Sequence, residues 1–473
     1  MSLQQALLGR YASLESDVPN AGGVADSLEV GQVVDEDGAQ LDGENLVEND
    51  ILEAAEESDV VDEGSDDVEE LIETSDALES FLAAAQAASK QGGWTTQEAA
   101  AYDLGLNVVI GRIGGTSRDV MPSLESFNSS RERINATASV ENRIMDTLKK
   151  IWEAIKRAVN KVIAFVRKWY LKIADGASRL KKRAEAIRKK AENTTGTAKE
   201  KKIRIPLAGL HISKNAPSAQ QLTGSLDAVK ALISDLTRGK MAKGYSDACD
   251  EIVNGLETLT EKEDQAAVNK IIAGIVTTAS DSSGFKSDSE AKARFPGATE
   301  AQSGESLSFG ELPGGKKLVI LNTDFNKIAD AKSGLAAGRS AAKIEVVDAS
   351  KTKVEIDSSK EVAILEPSQV VAVAESVIAL ADAVIDFRKD FENYERKTKE
   401  TLAKVDKIAS KSTKGDTDAE NTRLESVRAL AKISGNILSN HGQSITKVIS
   451  FGLNLCRNAL VYGNSSLNQY KAN

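Results

Sequence analysis

Nucleophiles, general bases and soft metal ligands are scarce in this chain of 473 residues: it has two cysteines, Cys249 and Cys456, and two histidines, His211 and His441. Without a CxxC pair or a histidine cluster no soft-ligand metal centre can be assembled, and the cysteines read as separate buried thiols of a reducing compartment. GxSxG, HExxH and the kinase and Rossmann fingerprints are missing, so no catalysis and no cofactor are expected. Aromatics make up 4% and prolines number seven, while Ala, Val, Ile, Lys and Glu are plentiful. That mixture favours helix. Nowhere do about 18 apolar residues run together, and Met1–Leu8 has neither the basic nor the long apolar part of a secretory signal. The expectation is a soluble protein made in the cytoplasm, in which the Asn-x-Ser/Thr triplets at Asn128, Asn135, Asn193 and Asn464 carry no glycan.

Positive charge is missing from one part only. Residues 1–125 contain 4 Lys/Arg against 28 Asp/Glu, a balance of −24, whereas the residues after them contain 56 against 43, a balance of +13. The sign changes at Ser123-Leu124-Glu125-Ser126. Asymmetry of this kind speaks to partners more than to fold, and it points to an acidic pro-segment attached to a basic body.

Within the acidic part, strings such as Asp35-Glu36-Asp37 and Asp62-Glu63-Gly64-Ser65-Asp66-Asp67 carry few aromatics and scattered aliphatics. Self-repulsion and a poor apolar supply predict disorder over most of 1–125, with transient helix near Val68–Ala85. Calcium ligation fails on spacing, since the first ligand before Gly38 would be Val33. Gly111-Arg112-Ile113-Gly114-Gly115 and Leu312-Pro313-Gly314-Gly315-Lys316 match no phosphate-loop pattern and read as turns, the second as a hairpin.

The basic body opens on its most informative stretch. From Ile144 to Ile187 apolar residues recur in steps of three and four through Leu148, Ile151, Ile155, Val159, Val162, Val166, Trp169, Ile173, Ala177, Leu180 and Ala184, which predicts a long amphipathic helix, kinked or divided at Gly176. Residues 143–190 hold 16 Lys/Arg against 4 Asp/Glu. Most lie off the apolar stripe: Lys149, Lys150, Lys156, Arg157, Lys161, Arg167, Lys168, Lys172, Arg179, Lys181, Lys182, Arg183, Arg188, Lys189 and Lys190. Such a face suits the solvated side of a packed helix, phosphate contact with nucleic acid without base reading, or an interfacial membrane helix anchored by Trp152, Phe165, Trp169 and Tyr170.

Further on, Ser225 caps a helix to Leu236, and Thr260 with Glu263 has the capping-box spacing before Ala266–Val276. Ser280–Gly310 reads as a surface loop. Period-two patterns at 317–321, 343–347, 353–356 and 362–365 predict short strands, with 326–340 helical between them. Pro367 opens a long helix that ends near Ser410, and 422–434 with 437–462 form a helix pair around Gly435. His441 in that pair reads as a satisfied polar residue. The expected architecture is mainly α with a small β insertion (α+β). It divides into a disordered acidic pro-segment (1–125), a basic amphipathic helical region (126–200), a helical region (201–282), a loop and small sheet (283–366), and a long helix with a C-terminal helix pair (367–473).

Small-x-Glu tripeptides recur in the acidic part as Ser13-Leu14-Glu15, Ser27-Leu28-Glu29, Ala77-Leu78-Glu79 and Ser123-Leu124-Glu125, and three of them precede a serine. This layout resembles that of the internal head proteins of phiKZ-like giant tailed phages, whose prohead protease cuts after Glu in a Ser/Ala/Gly-x-Glu context. The resemblance implies a precursor packed inside the capsid with the DNA and trimmed there. Partners would be the prohead protease, capsid or other internal head proteins, and packaged DNA bound non-specifically. Cleavage after Glu125 would remove a segment of −24 and leave a body of +13; Glu15, Glu29 and Glu79 are secondary candidates. The acidic segment would cover the basic helix until it is removed. Alternatives are a prohead scaffolding or core protein and a membrane-active ejected protein.

Overall fold

A computed structural model describes residues 40–259, 265–281, 298–300, 306–321, 338, 343–350, 360–409 and 418–470. Their order is α1 (Gln40–Lys90), α2 (Thr96–Arg112), two 3-10 turns (Ser117–Asp119 and Leu124–Phe127), α3 (Ser130–Asn193), β1 (Lys202–Ile205), α4 (Ala219–Thr237), α5 (Lys240–Thr258) and α6 (Gln265–Asp281). Strands β2 (Ala298–Glu300), β3 (Ser306–Phe309), β4 (Lys316–Leu321), β5 (Ile344–Asp348) and β6 (Lys360–Ala363) follow, then α7 (Pro367–Asp386), α8 (Arg388–Ala409) and α9 (Asp418–Leu467). The fold is mainly α with a small β part, as the composition implies.

Helix α9 is the axis of the bundle. From Ala429 to Thr446 every residue is buried, because α1, α3, α4, α5, α7, α8 and strand β5 surround it. Small residues permit this. A β-carbon on Gly442 would lie 2.7 Å from the Tyr394 hydroxyl and 3.5 Å from Val162 and Val166, so only glycine lets α3 and α8 approach so closely. The expected helix pair is instead one continuous helix. Gly435 does not break it, since the backbone-entropy cost of glycine, about 1 kcal/mol, is offset by packing against Ile155, Ile72 and Val68.

Helix α3 runs 64 residues without division at Gly176, which is itself buried. Ser129 caps it through a capping box with Glu132, and the apolar stripe read from the sequence is the buried one. Pro367 opens α7 as expected, but the chain turns at Phe387, whose buried ring meets Tyr170 edge-on at 5.1 Å and Phe391 at 5.7 Å. Two helices therefore replace one. The cap of α4 is Ser218, paired with Gln221, and Ser225 lies about two turns inside, donating to the Gln221 carbonyl. Helix α7 is long and apolar enough to cross a membrane, and here Val370, Val373, Ala374, Val377, Leu380 and Val384 are buried among the helices it touches, α3, α4 and α9.

The acidic segment departs most from expectation. Residues 40–112 form α1 and α2 and are not disordered; residues 1–39 lie outside the described part. The scattered aliphatics Val61, Val68, Leu71, Ile72, Leu78 and Leu82 fall at helical spacing and are all buried, mostly against α3. Each contributes about 1.5 to 3 kcal/mol on full burial, and tertiary packing thus overrides the repulsion among carboxylates.

Strands β2-β3-β4-β5 form an antiparallel sheet, entered by a tight turn in which Gly314 and Gly315 take positive φ. Leu312 and Lys316 bridge across that turn, as the hairpin reading requires. Strands β1 and β6 pair separately. Both groups are fastened to α9 by serines: Ser444 accepts from the Ile344 N–H at 2.9 Å and Ser466 from the Leu365 N–H at 3.0 Å. The strand expected at 353–356, most of the helix expected at 326–340 and the Thr260–Glu263 cap lie outside the described residues.

Replacing Gly442 by alanine should cost about 1 to 3 kcal/mol of stability through overpacking against Tyr394. Denaturant unfolding of the full chain measures this.

Candidate nucleic-acid interface and processing site

At 100° per residue, the exposed cations Lys149, Lys150, Arg167, Lys168, Lys182, Lys189 and Lys190 of α3 fall within a sector of about 140°, opposite the buried stripe of Ile144, Ile155, Val166, Ile173 and Ala184. They extend over about 60 Å of helix. The face is therefore a straight row of positive charge on a rigid support. The four acids of this stretch, Asp146, Glu153, Asp175 and Glu185, fall in the same sector and leave it net positive; Asp146 lies 3.6 Å from Lys149, both well exposed, so that pair is worth little.

Several basic residues, Arg167 and Lys190 of the row among them, also have local work. Lys156 bonds to Glu153 at 2.7 Å and Asp406 at 2.6 Å; burial opposes its charge, but the two carboxylates outweigh burial and raise its pKa. Arg167 reaches Glu395 at 3.4 Å, Lys181 meets Asp382 at 2.8 Å, and Arg188 meets Glu192 at 3.7 Å. Lys161 lies 5.6 Å over the Phe165 ring. Lys190 donates to Asn464 and Asn468, and burial lowers its pKa. Arg157, Lys172, Arg179 and Arg183 are half-buried. Lys150, Lys182 and Lys189 are exposed and form no ion pair with a described residue.

Of the aromatics expected as membrane anchors, Trp169 and Tyr170 are interior. Tyr170 stacks on Phe391 at 5.1 Å and donates to the Val384 carbonyl at 3.3 Å. Trp152 donates to Asp406 at 3.2 Å, and Phe165 packs on the core. Helical spacing aligned these rings with the apolar stripe, and the bundle buried the stripe.

The acidic helix does not cover the cationic row. It lies on the apolar side of α3 and against a second polar stripe, on α9, formed by Arg428, Lys432, Asn436, Ser439, Gln443 and Lys447. Lys432 is only 4% exposed and is held by Asp76 at 2.7 Å and Glu79 at 2.9 Å. Glu79 also takes Arg428 at 3.0 Å, and Asp62 takes Lys447 at 3.1 Å, so the two helices run antiparallel. Burial raises the Asp62 pKa against the opposing pull of Lys447. Buried Asn436 Nδ2, Gln443 Oε1 and Thr74 Oγ1 have no hydrogen-bond partner, so the seam is not fully satisfied by polar pairing and apolar contact carries the larger share of its adhesion.

The candidate cleavage sites differ sharply in access. Ser123, Leu124 and Glu125 are exposed and Ser126 is half-buried, in a one-turn 3-10 segment between α2 and α3. Its backbone is held by Ser126 N–H to the Ser123 carbonyl at 2.9 Å and Asn128 N–H to the Glu125 carbonyl at 3.4 Å. Glu79 sits in mid-helix, clamped by Arg428 and Lys432. Glu15 and Glu29 lie outside the described residues.

Neither histidine is placed for acid–base work. His211 is buried, its Nδ1 facing the Leu207 and Ala208 carbonyls at 3.3 and 3.2 Å. His441 stacks on Tyr245 at 4.2 Å, and burial pushes its pKa down to about 3. Burial likewise pushes the Cys249 thiol up to about 11 and raises that of Cys456. Among the described residues no cluster of three or more His, Cys, Asp or Glu could hold a metal.

The fold and these features define a helical structural protein whose accessible chemistry is charge. The chain belongs to the phiKZ-like phage internal head proteins, the family that matches residues 47–453. Its place is therefore inside the phage head, as a virion component. No curated protein and no solved structure matches it.

Neutral His441 gives a signed pH dependence. The unfolded chain takes up a proton near pH 6.5 that the folded chain refuses down to about pH 3, so this group's contribution to stability falls as pH drops through that window. The slope of unfolding free energy against pH between about 6.5 and 4 should flatten in His441→Gln, whatever its stability at neutral pH.

Proposed function

We propose that this internal head protein is made in the host cytoplasm as a precursor, enters the assembling head and is cut there between Glu125 and Ser126 by the prohead protease. The observation that carries the cut is the coincidence of three features at one turn: a small-x-Glu tripeptide, exposure at the surface, and the sign change from −24 to +13. A protease needs a segment that opens at little cost, and a single 3-10 turn with two backbone hydrogen bonds offers one. Glu79 offers none while α1 is folded.

The outer row of α3 then lies along packaged DNA. Lys and Arg on a rigid helix neutralise phosphates without reading bases, which suits a protein that must tolerate any sequence in a crowded head. Because α1 occupies the opposite side, the row is open before processing. Removal of the segment would change the net charge of the particle, not unmask this face.

An assembly or scaffolding role is favoured by a separate feature. Leu104 and Val108, one turn apart on α2, are 73% and 66% exposed. Large aliphatics so placed suit contact with capsid or other internal head proteins. A membrane role gains nothing from the interior placement of Trp169 and Tyr170.

Mass spectrometry of semi-specific peptides from purified particles should find the chain beginning at Ser126; a Met1 start alone would sink the cleavage. For DNA, binding of the protein to duplex should fall with salt at a log–log slope of about −4 or steeper, as about four or more phosphate contacts require. The triple variant Lys150→Gln, Lys182→Gln, Lys189→Gln should lose about three units of that slope. An unchanged slope would show that α3 does not touch the phosphates.

A further inference from the structure

We infer that the acidic segment is not released by the cut at Glu125 but stays docked as a second, non-covalently held chain, with α1 in the groove between α3 and α9. The inference rests on the cleavage proposed above, and its partner is specific: an acidic amphipathic helix, here the protein's own.

Adhesion comes first from apolar contact. Val61, Val68, Leu71, Ile72, Leu78 and Ala85 are at most 1% exposed, and Gly64 brings α1 within 3.0 Å, at the β-carbon position, of Val162 in α3. Beyond α1, Trp94 is 2% exposed, stacks on Tyr102 at 4.4 Å and receives, at its backbone N–H, the Thr137 hydroxyl of α3 as acceptor at 3.0 Å. The contacts to α3 and α9 join residues on opposite sides of the bond after Glu125, and none of them needs that bond to be intact. Cleavage there removes only the tether.

Departure would also break charge pairs. Lys432 is nearly enclosed, and its two carboxylates, Asp76 and Glu79, both belong to the segment that would leave, as do the partners of Arg428 and Lys447. These pairs form where water is largely excluded, so salt screens them less than it screens surface pairs, and they add to the apolar hold on α1. Clearing the segment then requires a second cut inside α1. The tripeptide ending at Glu79 is the described candidate, and docking ties that residue to Arg428 and Lys432. Order follows from structure: the turn at Glu125 is open to the protease while Glu79 is shielded.

The test inserts the recognition sequence of a site-specific protease between Glu125 and Ser126 of the full chain, so that it does not depend on the phage enzyme. After complete cutting, gel filtration at about 0.1 M and about 1 M salt, conditions that differ strongly in charge screening, is followed by intact-mass analysis. Both fragments should co-elute at both salts. Loss of the N-terminal fragment at either salt overturns the inference. In Leu71→Asp with Ile72→Asp the fragment should separate, and in the milder Asp76→Asn with Glu79→Gln its dissociation constant should rise about tenfold or more. Retention unchanged in both variants would also overturn it. A particle-derived chain starting at Met1 would remove the natural cleavage yet leave the docking result standing, so the two failures are distinguishable.

Discussion

The enclosure of α9 is the constraint on which the rest depends. A 50-residue helix can be buried on all sides only if its neighbours supply apolar surface all round and its own residues are small where they cross. Gly435 and Gly442, with Ala429 and Ala431, meet the second condition, and α1, α3, α4, α7 and α8 meet the first. The polar residues that remain inside are put to use. Ser444 and Ser466 tie the two sheets to the axis, and Lys432 fixes the position of the acidic helix. Removal of any one wall of this bundle exposes α9.

Charge is thereby sorted by side. On the inner side of the molecule the carboxylates of α1 meet the cations of α9 in pairs that are partly or wholly withdrawn from water. On the outer side the exposed lysines and arginines of α3 stand along one helical face and outnumber the acids among them. The formal net charge of −11 describes neither surface. Under the proposed association with packaged DNA, this separation would let attraction for phosphate act from one face while the acidic part is engaged elsewhere.

Much of the geometry of the candidate site was legible in the sequence. The three-and-four spacing from Ile144 to Ile187 gave both the helix and its buried stripe; of the basic residues off that stripe from Lys149 to Lys190, seven form the exposed row and the rest are half-buried. The small-x-Glu tripeptide at Glu125 and the charge step located a turn that is open in the fold. What misled were residues whose role is set by neighbours distant in sequence. Gly176 and Gly435 carry the local sign of a break and are packing contacts; Trp169 and Tyr170 carry the sign of a membrane anchor and are core. The acidic run was read as unfolded because composition counts repulsion. It does not count the partner helix more than 350 residues away that neutralises Asp76.

The sequence by itself determined that this protein is helical and that it carries opposite charge on either side of Glu125; these follow from composition and local periodicity, which act within a few turns of chain. Tertiary structure alone decided that the acidic segment is a wall of the bundle, that it lies away from the cationic row, and that Glu79 is shielded while Glu125 is exposed. The physical reason is the same in each case. Burial of Val68, Leu71 and Ile72 and pairing of Lys432 depend on which surfaces meet, and long helices bring together residues that no local pattern relates.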